Sequence, residues 1–416
     1  MTIHTMRSRT ATYMFLAGTL IATEANAAWI LQPSAQIEAS SYDNVRLSEI
    51  EQEGYSSTLS AQARVGYRTE LTTLSVTGNL LHRGYSGVDD VPGLEDPDDR
   101  SEHALTLFAQ TRMERIILGM SGVTRRDVLL RRSEFIAEDA DELGEEAPPE
   151  AEELEELTED AGVVDTNVIQ EQVRRTFYQA NPFLAYQFSE RTTVRLGYQY
   201  LAQKFGSDGA NLGLQDSESN GVTFAVQSRL DERNNLNFNL RTTNFEPDIG
   251  LESDTYEATV GLTRRFTERL RLGLQLGSRR VESDVAENDG FVFRATARWR
   301  TERGSLSASV GRTVTATAFG DIAERDRIRV TYRQKLNDRF DFSLRASAFK
   351  TDRDNGDSQR NRESVTVEPR LGIRLSESFS TDISYRYRFI ERGSDIGSVE
   401  GNTISVALVY RPPRQL

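Results

Sequence analysis

Three histidines and no cysteine leave this chain few groups that move protons near neutrality and no thiolate for catalysis or metal binding. His4 lies close to the N-terminus, while His82 and His103 flank a polar stretch that contains Asp89, Asp90, Asp98 and Asp99. A histidine meeting one of those carboxylates would make an acid–base site. No nucleophile motif accompanies the pair, so two polar residues at strand ends are the better account of it. DVPGLEDPDD and TDRDNGD offer carboxylates to calcium without the spacing of a calcium loop. No Gly-rich phosphate loop and no nucleic-acid module occurs, so the expectation is a protein without catalysis, metal or cofactor.

The residue that does recur in a pattern is arginine. Arg195, Arg241, Arg271, Arg294, Arg298, Arg327, Arg329, Arg333, Arg345, Arg370, Arg374, Arg386 and Arg388 all stand on the polar side of segments that alternate polar and apolar residues. Few acids share those faces, among them Glu257, Asp341, Glu368 and Asp382. A guanidinium presents forked donors that match carboxylate or phosphate, so one reading is a surface for anionic solute. The other is structural, with each arginine paired to an acid on a neighbouring strand. Both stay open at this point.

A period of two means β-strands, because side chains of an extended chain point alternately to its two faces. In FTERLRLGLQLGS (266 to 278), Leu270, Leu272, Leu274 and Leu276 share one face and Arg271, Gly273, Gln275 and Gly277 the other. Similar units recur as FSERTTVRLGYQY, LDERNNLNFNLRT, RTERGSLSASVGR, LNDRFDFSLRASA and LSESFSTDISYRY. In each, an acid sits in a short polar break: Glu190, Glu232, Glu268, Glu302, Asp338 and Glu377, at intervals of 42, 36, 34, 36 and 39 residues. Such a period fits a strand, a tight turn, a second strand and a longer connection. Propeller blades need four short strands in that length, and only two long ones fit.

Breaks at Glu70 and Glu114 bring the tight turns to eight and the expected strands to about 18. An even strand number, short turns on one side and long polar loops on the other describe a transmembrane antiparallel up-and-down β-barrel of the bacterial outer membrane. The chain is 37% hydrophobic, with a mean hydropathy of −0.53, and has no long apolar run beyond its N-terminal region. That composition excludes a membrane protein built of helices but not a barrel, whose strands need apolar residues only at alternate positions. Residues 1–27 read as a secretory signal peptide, with Arg7 and Arg9 ahead of an apolar stretch and Ala25-Asn26-Ala27 as the cleavage site. Residues 28–416 then form the barrel, and its outer face meets membrane lipid.

One segment interrupts the repeat, in what would be the third extracellular loop. Residues 133–172 contain 16 acids and no Lys or Arg, so removing them leaves 48 acids against 50 bases and turns a net charge of −14 into +2. A solvated acidic loop, a helix after Pro148-Pro149, and a gate are the three readings. The gate would bring Glu145, Glu146, Glu152, Glu153, Glu155 and Glu156 to the arginines by opposite charge.

The pattern FSERTTVRLGYQY and its cousins, with FYQANPFLAYQFSER (177 to 191), resembles the outer-membrane β-barrel proteins associated with exopolysaccharide and PEP-CTERM systems of Gram-negative bacteria. The likeness runs from about Tyr178 to Tyr410. It implies a porin-like conduit that exports a polysaccharide, with the export machinery as a partner, and carries over no catalytic residues. The alternative is a closed structural barrel whose loops bind a partner or ions. In one respect the chain departs from such barrels, which commonly end on an aromatic: its last strand, NTISVALVY, is followed by RPPRQL.

Overall fold

A computed structural model describes residues 28–45, 47, 51–87, 99–128, 173–206, 214–249, 252–283, 287–316, 322–352, 362–392 and 397–413. These form strands β1 (Ala28–Tyr42), β2 (Gly54–Arg68), β3 (Thr72–Ser86), β4 (Arg100–Met113), β5 (Ile116–Val128) and β6 (Arg174–Gln187). There follow β7 (Thr192–Phe205), β8 (Ser217–Arg229), β9 (Asn234–Pro247), β10 (Ser253–Arg265), β11 (Leu270–Ser283) and β12 (Glu287–Arg300). The last six are β13 (Gly304–Ala316), β14 (Ile322–Lys335), β15 (Phe340–Asp352), β16 (Arg362–Arg374), β17 (Phe379–Arg392) and β18 (Ser398–Tyr410). Each strand pairs antiparallel with the next, and β1 pairs with both β2 and β18, which closes the ring. The fold is an 18-stranded antiparallel barrel.

Strands of 13 to 15 residues, at a rise of about 3.3 Å and a tilt near 40°, cover roughly 30 Å, enough for a hydrocarbon layer. The register fixes which face each residue takes, because directly opposed residues share a face. Leu272, Leu274 and Leu276 oppose Ala297, Ala295 and Phe293, and across the next strand Ala297 and Ala295 oppose Ala308 and Val310. Followed around the ring, this set is the outer surface. Large apolar side chains there stay exposed in the isolated chain, including Leu274 at 50% and Trp299 at 48%. An apolar band of this height on a closed barrel is a lipid-facing belt, which places the protein in the outer membrane. Aromatic pairs lie at its periplasmic edge, with Trp29 against Tyr67 at 4.9 Å and Phe379 against Tyr410 at 5.1 Å. Tyr410 therefore does the packing of a strand-terminal aromatic although further residues follow it.

The tight turns have a shared construction. Thr69, Ser189, Asp231, Thr267, Asn337 and Ser376 each accept two backbone N–H groups, from the residues two and three positions on, at 2.7 to 3.3 Å. A short side-chain oxygen thus satisfies the amides that the turn takes out of the ladder. The acid that marks the repeat in sequence sits one residue later, at the turn's apex.

Candidate functional site

The inner face of the wall carries the thirteen arginines named above. Arg271 opposes Arg298, and Gln275 opposes Arg294. On β14, Arg327, Arg329 and Arg333 share that face, opposite Phe349, Ser347 and Ser343 of β15. Arg345 opposes Glu368, Arg370 opposes Ser384, Arg374 opposes Ser380 and Arg388 opposes Thr366. Arg195 opposes Ala225, and Arg241 opposes Glu257. Arg386, opposite Thr403 of β18, completes the set. All thirteen are half-buried or exposed, so solvent reaches the inner wall over this height.

Some of the inner acids neutralise their neighbours. Asp382 accepts from Arg370 and Glu368 from Arg386, both at 2.6 Å. Arg241 donates to Gln199 and, at 3.2 Å, to Thr243. The guanidinium of Arg195 covers the ring of Phe183 at 3.9 Å from its centroid. That ring in turn lies over Gly119, its cross-strand partner, where a side chain would collide with it. Glycine is required there because the aromatic occupies the space of a Cβ.

Towards the extracellular end the inner face changes character. Arg83, Arg100, Arg175, Arg279 and Arg325 are buried there and held by polar partners. Arg100 pairs with Glu102 at 3.3 Å, Arg175 with Asp127 through two contacts at 2.8 and 3.1 Å, and Arg279 with Glu324 at 3.8 Å. Arg83 and Arg325 donate to Thr58 and Thr351 at 2.8 and 3.2 Å. In the first loop Leu47 packs with Ile390 and Val399 of the inner wall. Sequence reasoning missed this collar of buried pairs. The signal was present, since each of these arginines continues the alternation of its strand, but they stand at strand ends where alternation alone does not separate wall from loop.

His82 and His103 face outward near the extracellular rim, since His82 opposes Leu59 on β2 and His103 opposes Leu80 on β3. His82 contacts the hydroxyl of Ser101 through Nδ1 at 3.0 Å, and no group of three or more His, Asp or Glu able to hold a metal occurs among the described residues. Among the described residues neither histidine is paired with a carboxylate. Asp89, Asp90 and Asp98, the acidic insert with Glu145, Glu146, Glu152, Glu153, Glu155 and Glu156, and residues 1–27, where the sequence predicts a signal peptide, lie outside the described residues. A groove of about 300 Å³ between Pro182, Leu184, Leu196 and Tyr198 opens to the lipid face and not to the lumen.

No family model matches the chain, and no curated protein matches it. Solved structures that resemble it include Pseudomonas aeruginosa OccK5 (OpdH), with 11% identity over 92% of this chain and 98% of that one at a TM-score of 0.47. Acinetobacter baumannii OccAB4 shares 10% identity over 93% and 98% of the two chains at a TM-score of 0.46. P. aeruginosa OccK3 (OpdO) shares 13% over 92% and 96% at 0.44. The fold and the membrane placement stand on this chain's own strand pairing and apolar belt: an 18-stranded outer-membrane barrel with an arginine-lined inner wall.

Proposed function

We propose that the barrel is a passive conduit for hydrophilic solutes across the outer membrane and that its inner wall favours anions. The observation that carries this reading is the solvent-reached set of inward arginines, which outnumbers the acids on the same face. Guanidinium groups facing water along a wall lower the energy of a passing carboxylate or phosphate and raise that of a cation. A polysaccharide as solute, with an export machinery at the periplasmic face, is the finer form of the proposal. It is supported by the resemblance of the hairpin pattern and by no catalytic or binding residue.

A second reading has its own support. The buried pairs of the extracellular collar and the Leu47, Ile390 and Val399 contact favour a barrel sealed at that end, with function carried by its loops. Single-channel recording in a planar bilayer separates the two. The conduit reading expects anion-favouring current, shifted toward cations when Arg294, Arg298, Arg329 and Arg333 are all replaced by Gln. Unchanged selectivity in a conducting variant refutes the role of the arginines. Silence of the folded protein refutes the conduit.

A further inference from the structure

At the periplasmic end the turn construction places bases side by side. In five turns the residue two positions after the start is a base: Arg191, Arg233, Arg269, Arg303 and Arg339. The backbone carbonyl of each accepts the N–H of a residue on the next hairpin, and that residue is a base as well. The bonds run from Arg229 to Arg191 at 2.7 Å, Arg265 to Arg233 at 2.8 Å, Arg300 to Arg269 at 2.8 Å, Lys335 to Arg303 at 2.6 Å and Arg374 to Arg339 at 2.8 Å. Two cations are thus pinned together at each step from β7 to β16. Neighbouring strands lie about 4.8 Å apart, so the pairs recur about every 10 Å along the rim.

All ten side chains are exposed. The strand-end members fall on the lumenal face, as shown by Arg265 opposite Arg271 and Lys335 opposite Asp341. Arg269 meets Glu302 at 3.0 Å and Lys335 meets Asp338 at 3.7 Å. Arg191, Arg229, Arg233, Arg265, Arg303 and Arg339 make no ion pair among the described residues. Like charges held adjacent repel one another, and the turns do not need them: Ser189, Asp231, Thr267 and Asn337 accept the amides of their turns, and Thr301 closes its own by donating its N–H and hydroxyl to the Gly304 carbonyl. At the extracellular collar of the same inner face each buried arginine meets an acid or a threonine hydroxyl. Exposed cations without an ion pair among the described residues are gathered at the periplasmic mouth.

We infer that this crown is a binding surface for a linear polyanion, a chain bearing repeated carboxylates or phosphates, that reaches the barrel from the periplasm. Forked donors at regular steps suit repeated anionic groups, each contact being weak alone and the set adding up. Membrane phospholipid headgroups carry the same phosphate chemistry, but they border the outer side of the rim, and the strand-end cations are on the lumenal side. The inference deepens the conduit reading by naming the chemistry at its periplasmic entrance, and it is tested without requiring conduction.

The test is equilibrium binding of fluorescently labelled octagalacturonate, and separately of inorganic polyphosphate, to the refolded full-length barrel in neutral detergent. Maltooctaose serves as the uncharged control. A variant carrying Arg191→Gln, Arg233→Gln, Arg303→Gln and Arg339→Gln is compared with one carrying Arg280→Gln and Arg312→Gln, which lie outward near the extracellular side. The expected result is saturable, salt-sensitive binding of a polyanion but not of maltooctaose. It should weaken about tenfold or more in the crown variant, on the scale of four exposed charge contacts, and stay unchanged in the outward variant. The gel shift on heating reports folding of each variant. Equal affinity of a folded crown variant overturns the inference even where the channel is anion-selective. If the crown variant misfolds, Lys substitutions at the same four positions replace it, and retained binding there with loss on charge reversal to Glu upholds the crown. Crown-dependent binding by a protein that passes no current upholds the crown and overturns the conduit. Binding of phosphate alone or of carboxylate alone assigns the source, and a response only to anionic lipid micelles refutes the soluble partner.

Discussion

Replacing Gly119 by Ala tests whether the inner wall is packed as the register implies. The added Cβ would stand 2.2 Å from Cζ and 2.3 Å from Cε1 of Phe183, far inside ordinary carbon contact. The obstacle is a rigid ring, not the tip of a flexible chain. Phe183 is 6% exposed and Arg195 lies over its ring, so it cannot retreat without giving up burial and a cation–π contact. Overpacking of this kind costs about 1–3 kcal/mol. Alanine in place of a strand glycine returns about 0.5–1 kcal/mol, which leaves a net loss near 1–2 kcal/mol. The assay is urea unfolding of the barrel refolded into vesicles, followed by the fluorescence of Trp29 and Trp299. With Phe183→Ala in the background the collision is gone, and Gly119→Ala should become neutral or stabilising, so the double-mutant cycle shows coupling of about 2 kcal/mol. A Gly119→Ala protein as stable as the parent, or a loss that persists without the ring, refutes the reasoning.

Thr267→Ala should cost about 1 kcal/mol, because two turn amides lose their acceptor, and Thr267→Asn should recover most of it, as Asn337 does the same task; urea midpoints decide. At Asp231, hydrogen bonds from the Asn234 side chain and the Arg233 amide hold the carboxyl below the usual carboxylate range. A depressed folded value means that its contribution is present above the unfolded value near 4 and is lost as pH falls through the folded one. A chemical-shift titration of Asp231 should therefore show a midpoint below that of an unfolded aspartate, and a midpoint at or above it is incompatible with the turn geometry. Asp382→Asn removes the negative charge that Arg370 meets at 2.6 Å and should raise anion preference in single-channel recordings. Unchanged selectivity would mean that the pair does not face the ion path.

The barrel was legible because its signal is redundant. A strand whose apolar positions slipped by one would turn Leu272 and Leu274 into the lumen and Arg271 into lipid, so alternation fixes facing as well as strand identity. For the same reason the strand count could be read from the tight turns. Less was legible where alternation stops carrying information. Glu190, Glu232, Glu268, Asp338 and Glu377 marked the turns, yet the residue that accepts the turn amides is the one before, and only its short polar type at Ser189, Asp231, Thr267, Asn337 and Ser376 hinted at it. Pairing partners were not legible at all. Asp382 serves Arg370 and Glu368 serves Arg386 across a strand boundary, a matter of register that no local pattern encodes.

The distribution of charge around the lumen argues that the acids and bases were placed for different ends. At the extracellular collar an acid or hydroxyl meets each buried arginine, as it must, since an uncompensated charge out of water would be costly. At the periplasmic rim water already solvates the arginines, so pairing is not required for folding, and unpaired cations are tolerated at the expense of mutual repulsion. Stability therefore accounts for the top of the lumen and leaves the bottom unexplained. A fold needing only a neutral residue there would be served by Ser, which the same turn construction accepts at Ser378 after β16. Five successive turns that present a base where Ser378 suffices for the architecture are best understood through a ligand. If the four crown arginines can all become glutamine with no loss of polyanion binding, that step fails, and the asymmetry of the lumen needs another cause.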